Sequence, residues 1–122
     1  MRKIFIFLFL FILASGVANA NRRPIVIQNG GSAGNHSEHY APLDMPEVYF
    51  DTDLQEIIII ADGFSVYYDV DIISLSTMTV VISTQIDGYG DSIDVSLLPD
   101  DDYTIIITSS NNNVYEGQFT NY

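Results

Sequence analysis

The 122 residues contain no cysteine, no tryptophan and a single lysine, Lys3. Without cysteine there are no disulfides, no zinc–thiolate sites and no thiol nucleophile. The same absence excludes a lipoprotein anchor, which needs a cysteine to carry the acyl chains. A domain of this kind is held together by packing alone. Cations are nearly as scarce: four Lys and Arg stand against 16 Asp and Glu. Nucleic-acid binding needs cations that displace phosphate counterions, so that class is set aside. An anionic membrane surface repels such a chain unless divalent ions bridge the two. No apolar stripe with a 3.6-residue period occurs beyond the first twenty residues, which argues against helices.

Those first twenty residues have three parts. Arg2 and Lys3 form a basic start, Ile4–Ala14 is apolar throughout, and Ala18-Asn19-Ala20 places small residues at the positions a signal peptidase inspects. This is the pattern of a secretory signal peptide over residues 1–20, cut after Ala20. An uncleaved anchor is the alternative, but the apolar core is eleven residues long and a span needs about 20. Cleavage takes Arg2 and Lys3 with it. The formal charge then moves from −12 to −14, with two basic and sixteen acidic residues left. The remaining cations are Arg22 and Arg23. The expected location is the periplasm or the exterior, with no membrane span after cleavage.

Past the signal, the pattern predicts an N-terminal extended segment and flexible linker over 21–46, then a β-domain over 47–122. Pro24–Gln28 reads as a short extended piece able to add itself to a sheet edge, in its own molecule or a neighbour's. Residues 29–46 are rich in Gly, Ser and Asn, with Pro42 and Pro46. Few apolar side chains there offset the cost of ordering the backbone, about 1–2 kcal/mol per residue.

Seven strands follow, at Glu47–Asp51, Gln55–Ala61, Ser65–Ser74, Thr77–Ile86, Ser92–Leu98, Tyr103–Thr108 and Val114–Thr120. Ile57–Ile60, four β-branched residues in a row, suits a strand buried on both faces. The other strands alternate, with inward faces Val66/Tyr68/Val70/Ile72, Met78/Val80/Ile82/Ile86, Ile93/Val95/Leu97, Tyr103/Ile105/Ile107 and Tyr115/Gly117/Phe119. Asp62-Gly63, Asp87–Gly90, Pro99–Asp102 and Asn111–Asn113 separate them. The fold class is all-β: a seven-stranded antiparallel immunoglobulin-like β-sandwich, lacking that fold's cysteine pair and tryptophan, with a small barrel as the alternative.

Two segments carry a resemblance. Leu97-Leu98-Pro99-Asp100-Asp101-Asp102-Tyr103-Thr104-Ile105-Ile106-Ile107 resembles the L-x-x-L-P-x-G-x-Y-x-h-x-h ending of small secreted β-sandwich domains of Bacteroides-type bacteria. Val114-Tyr115-Glu116-Gly117-Gln118-Phe119 resembles the x-Y-x-G-x-F last strand of one such group, which is catalogued as a domain of unknown function. The resemblance covers most of residues 22–120 and implies the immunoglobulin-like fold; it brings no activity, substrate or catalytic residue. Asp101 stands where the family has Gly, so the resemblance implies a left-handed backbone there, which Asp tolerates. Tyr103 stands where a tyrosine corner forms. More distantly, the LP-x-G-x-Y strand is similar to type IX secretion C-terminal sorting domains. Those follow a cargo domain and end in a basic tail, and the last residues of this sequence hold neither Lys nor Arg.

Candidates for chemistry are few. His36-Ser37-Glu38-His39 is the one histidine cluster, and it lies in the stretch read as linker, without the rigid frame a metal or a triad needs. Asp100, Asp101 and Asp102 are hard oxygen ligands crowded in one turn, a weak calcium candidate. Asp51 with Asp53, and Asp87 with Asp91, are lesser ones. Tyr67 and Tyr89 are candidate exposed aromatics for stacking on sugar rings. No catalytic residue, cofactor or resident metal is assigned. The expectation is a non-enzymatic exported module for interaction or structure at the bacterial cell envelope, its partners other envelope or secreted proteins. The alternative is an accessory ligand-binding module for glycans or calcium.

Overall fold

The computed structural model describes residues 21–29 and 43–122. The signal sequence and the His36–His39 cluster lie outside them. Among the described residues no helix is long and apolar enough to cross a membrane. Nine strands form: β1 (Arg22–Ile25), β2 (Gln28–Asn29), β3 (Glu47–Asp51), β4 (Glu56–Ile60), β5 (Tyr67–Ser74), β6 (Thr79–Asp87), β7 (Gly90–Asp94), β8 (Asp101–Ser109) and β9 (Val114–Asn121). They build two antiparallel sheets, of order β1-β3-β4-β7 and β2-β9-β8-β5-β6. The fold class is the expected β-sandwich, and the strand count is nine instead of seven. The seven expected strands are β3–β9. The two additions are short N-terminal strands that no hydrophobic alternation announces.

The core lies between the inner faces. Ile57 and Ile59 of β4, Tyr68, Val70 and Ile72 of β5, Ile105 and Ile107 of β8 and Tyr115 of β9 are all buried. Each large apolar side chain removed from water contributes about 1.5–3 kcal/mol. Phe119 ties the sheets together: its ring stacks on Tyr103 of its own sheet and tilts against Phe50 of the other, both at 5.3 Å between centroids.

β4 departs from its expected burial on both faces. Ile57 and Ile59 point inward, while Ile58 is half-buried and Ile60 exposed. Among the described residues nothing covers the outer face of this antiparallel sheet, so alternation wins over hydrophobicity. Val66, Met78, Val80 and Leu97 also depart from their inward assignment and are exposed. Val66 and Leu97 lie outside the strands, and Met78 occupies a turn with φ of 58°. Val80 sits past a register shift between Ile72 and Ile73, which moves it to the outer face.

Residues 22–29 form a strap. β1 pairs with β3 in one sheet, and β2 pairs with β9 in the other. The segment therefore crosses from one sheet to the other and closes one side of the sandwich. Ile25 is buried and Ile27 packs against the core. Gly117 of β9 makes room for both. A methyl group there would stand 2.9 Å from Ile25 Cγ2, Ile27 Cγ2 and the Val26 carbonyl oxygen. The edge-adding role read for Pro24–Gln28 is thus carried out within the same molecule.

Candidate functional site

Four connections meet at one end of the sandwich: Leu43–Pro46 before β3, 61–66 after β4, the β6–β7 turn and the β8–β9 turn. Backbone bonds join two of them and tie a third to the start of β5. Ala61 N donates to the Tyr89 carbonyl, Gly63 N to Gly88, Gly88 N to Val66 and Ser110 N to Tyr67. Of the stretch 29–46, read as linker, the described ends are structured: Asn29 lies in β2, and Asp44 and Pro46 are buried.

Asp44 organises this end. Its carboxylate accepts from Ser65 Oγ at 2.9 Å, Asn113 Nδ2 at 3.0 Å, Asn111 Nδ2 at 3.2 Å and the Tyr115 hydroxyl. Its backbone carbonyl accepts from the Tyr68 hydroxyl at 2.7 Å. Burial by itself raises a carboxyl pKa. The hydroxyls of Ser109 and Tyr115, the Asn113 amide and the Ser65 hydroxyl outweigh it and hold Asp44 well below the usual carboxylate range. Burial, then the bond to Asp44, pushes the Tyr115 hydroxyl pKa up, and burial does the same for Tyr68. The result is a buried carboxylate whose donors, among the described residues, are all neutral. Such a network fixes three of the connections relative to one another, and the backbone bonds of Ala61, Gly63 and Gly88 tie the β6–β7 turn to them.

Over this base stand apolar side chains in solvent. Phe64 is 55% exposed, Val66 80%, Tyr89 72% and Leu43 76%. The Tyr89 ring lies on Gly63, where a methyl group would stand 2.6 Å from its Cζ. Gly63 also has a φ of +82°, which favours glycine. Asn111 Nδ2 donates to the Phe64 carbonyl and the Ser110 hydroxyl accepts from Val66 N, which pins the loop carrying both. Tyr67 is partly exposed at the start of β5, opposite Asp87.

The acidic turn lies before β8, in a different setting. Asp101 does not take the left-handed backbone expected from the family pattern; the non-glycine residues that do, among those described, are Gln55, Met78 and Asn112. Asp101 instead opens β8 and accepts from Ser74 Oγ at 2.7 Å and Ser76 Oγ at 2.5 Å. Those bonds hold its carboxyl below the usual range. Asp102, next along the strand, accepts from Thr120 Oγ1 at 2.6 Å, while Asp100 is exposed. The three carboxylates thus have separate surroundings. No group of three or more His, Cys, Asp or Glu side chains suited to a metal occurs among the described residues. The Tyr103 hydroxyl donates to the Pro99 carbonyl at 2.5 Å, which makes the tyrosine corner.

The lesser acidic pairs are also locally engaged. Asp51 is buried; its Oδ1 accepts from Asp53 N and Leu54 N at 3.0 Å, and its Oδ2 faces Arg22 Nε at 3.6 Å. Asp53 accepts from Asn21 Nδ2 at 2.5 Å. Asp87 accepts from Tyr89 N and Asp91 from Ser92 N, both at 2.8 Å.

Asp44 was not singled out by the sequence. Its partners Ser65, Tyr68, Asn111, Asn113 and Tyr115 lie 21 to 71 residues away. The available hint was Asp44 two residues before Pro46 at the entry to a strand.

No protein-family model and no curated protein matches the chain. Among solved structures, it is similar to the crystal structure of a DUF3244 family protein with an immunoglobulin-like β-sandwich fold from Bacteroides vulgatus. The identity is 15% and the TM-score 0.63, over 83% of this chain and 99% of that one. The resemblance read from Leu97–Ile107 and Val114–Phe119 thus has its counterpart in three dimensions. With two antiparallel sheets, a tyrosine corner and this structural likeness, the chain has an immunoglobulin-like β-sandwich fold.

Proposed function

We propose that this protein is a non-enzymatic, exported immunoglobulin-like module that binds other proteins at the bacterial cell envelope through the end of the sandwich built on Asp44. One observation carries the reading: Phe64, Val66 and Tyr89 stand in solvent on loops held by the buried Asp44 network and by the backbone bonds from Ala61 to Tyr89 and from Gly63 to Gly88. Exposed apolar side chains on a rigid base cost little entropy to bury against a partner. Two buried hydroxyls at this end favour a binding role over catalysis. Ser65 and Tyr115 are buried and donate to Asp44, so neither is presented to a substrate. The export signal read from residues 1–20 supports the address.

The test is capture from the native envelope with the wild type and with Phe64→Ser/Val66→Ser/Tyr89→Ala. The wild type retains a partner that the variant loses; equal capture by both overturns the reading. A second reading, an accessory glycan-binding module, is favoured by Tyr89. One side of its ring rests on Gly63, and the residue remains largely exposed. Binding to a glycan panel that Tyr89→Ala abolishes supports this second reading.

A further inference from the structure

The two sheets end in four edge strands, and three are guarded. β1 carries Pro24 between two arginines and Ile25, β2 is two residues long, and β7 is short and carries Asp91 and Asp94. These are the devices that keep sheet edges from pairing with other chains. β6 is different. It spans nine residues, and Thr79–Ile86 contains no charge, proline or glycine.

The direction of its unpaired groups follows from β5. The Tyr67 carbonyl accepts from Ser110 N, on the β8 side; the carbonyls of Val66 and Ser74 accept from Gly88 N and Met78 N, on the β6 side. Even-numbered residues of β5 therefore bond toward β6, and the bonded pairs are Tyr68–Ile86, Val70–Thr84 and Ile72–Ile82. By alternation, Ser83 and Gln85 turn their N–H and C=O groups outward, away from β5. The register shift near Val81 bends the start of the strand, so among the described residues Ile82–Asp87 is the regular free edge.

The side chains along this edge have two characters. On the core side, Ile86 is buried and Ile82 packs on the core, with exposed Thr84 between them. On the outer side, Asp69 accepts from Gln85 Nε2 and Asp71 from Ser83 Oγ, with Asp87 next in line. The basic residues beyond residue 20 are Arg22 and Arg23 of β1, in the other sheet. Among the described residues, the carboxylates beside β6 thus have hydrogen bonds and no counter-charge.

We infer that the β6 edge accepts an extended segment of a partner protein in which apolar residues alternate with Lys or Arg, adding a sixth strand to the five-stranded sheet. Its backbone pairs with Ser83 and Gln85. Its apolar residues cover Ile82 and Thr84, and its cations face Asp69, Asp71 and Asp87. A second copy of this chain fits less well, because antiparallel pairing of two β6 strands brings the same carboxylates together in a chain of formal charge −12. This surface is separate from Phe64, Val66 and Tyr89.

The probe is a fluorescently labelled peptide of four Val-Lys repeats, with a Val-Glu peptide of equal length as control, followed by anisotropy. The Val-Lys peptide is expected to bind, and to bind at least about tenfold more tightly than Val-Glu. Gln85→Pro removes an outward N–H that makes no bond within the sheet, and Asp69→Asn/Asp71→Asn removes the charges while keeping the acceptors. Each is expected to retain the wild-type circular dichroism and lose the peptide by at least about tenfold. Should Gln85→Pro unfold, the Asn variant alone decides. No binding at millimolar peptide, equal binding of Val-Glu, or unchanged binding by a folded variant overturns the proposal. A dimer in sedimentation that Gln85→Pro dissolves assigns the edge to a second copy and overturns it too. Phe64→Ser/Val66→Ser/Tyr89→Ala is expected to bind the peptide normally; loss in that variant moves the peptide to the loop end and overturns the edge assignment.

Discussion

The Tyr115 hydroxyl donates to Asp44 Oδ1 across 71 residues of sequence. It joins the last strand to the segment that leads into β3, and both residues are buried. Removing the acceptor leaves Ser65, Asn113 and Tyr115 donors unpaired in a buried setting. Asp44→Ala is expected to cost about 3 kcal/mol in urea unfolding. A loss below about 1 kcal/mol would mean that water replaces the carboxylate freely.

Acid should weaken the same site, and the sign follows from the direction of the shift. The folded-state pKa of Asp44 is lowered, so its stabilisation is complete above the unfolded-state value, about 3.9, and is lost as pH falls through the folded value. Wild type and Asp44→Asn are both relieved of other charge repulsion by acid, so their difference isolates this group. The gap in Tm between them should be widest near neutral pH and shrink below about pH 4. A gap independent of pH would contradict an ionised Asp44.

Gly117→Ala pushes a methyl group into Ile25, Ile27 and the Val26 carbonyl. It should destabilise by about 1–3 kcal/mol. Deleting residues 21–29 should destabilise as well, by uncovering the apolar surface beneath Ile25 and Ile27. With the strap gone, Gly117→Ala should cost much less, because its obstacle has been removed. Additive losses in the double variant would separate Gly117 from the strap.

Calcium should leave the protein unmoved. Asp101 is taken by Ser74 and Ser76, and Asp102 by Thr120. Millimolar Ca²⁺ is expected to shift Tm by less than about 1 °C. A rise of several degrees, removed by Asp101→Asn, would restore the acidic turn as a cation site.

The strands β3–β9 were legible because their alternation is strong. Tyr68/Val70/Ile72 and Tyr103/Ile105/Ile107 repeat every second residue, and all six side chains are buried. Ile57–Ile60 misled because hydrophobicity does not say which sheet face is covered; that depends on the other sheet. Leu97 misled because it follows Val95 at strand spacing, yet β7 ends at Asp94 and Leu97 is 94% exposed. The expected left-handed backbone at Asp101 came from a family pattern, whereas a carboxylate offers bonds to Ser74 and Ser76 that glycine lacks. Tyr89 was legible as an exposed aromatic because it sits in a Gly-flanked turn. Asp44 was legible only as an acid two residues before Pro46, at the entry to a strand. Its role depends on partners brought together by the whole topology, and no local spacing displays that.

The strap also sets an order of events. Gln28 and Asn29 have their ladder partners in Tyr115 and Glu116, which leave the ribosome 86 residues or more after them in a chain of 122. The seam beside β9 stays open until nearly all of the polypeptide is available. A chain still being translated therefore carries an unsealed sandwich, with Gly117, Ile25 and the Asp44 donors waiting for one another. Closure in that geometry depends on both ends of the domain. Loss of β9 by truncation would unfasten β2 along with it and leave the strap held only through β1 and β3.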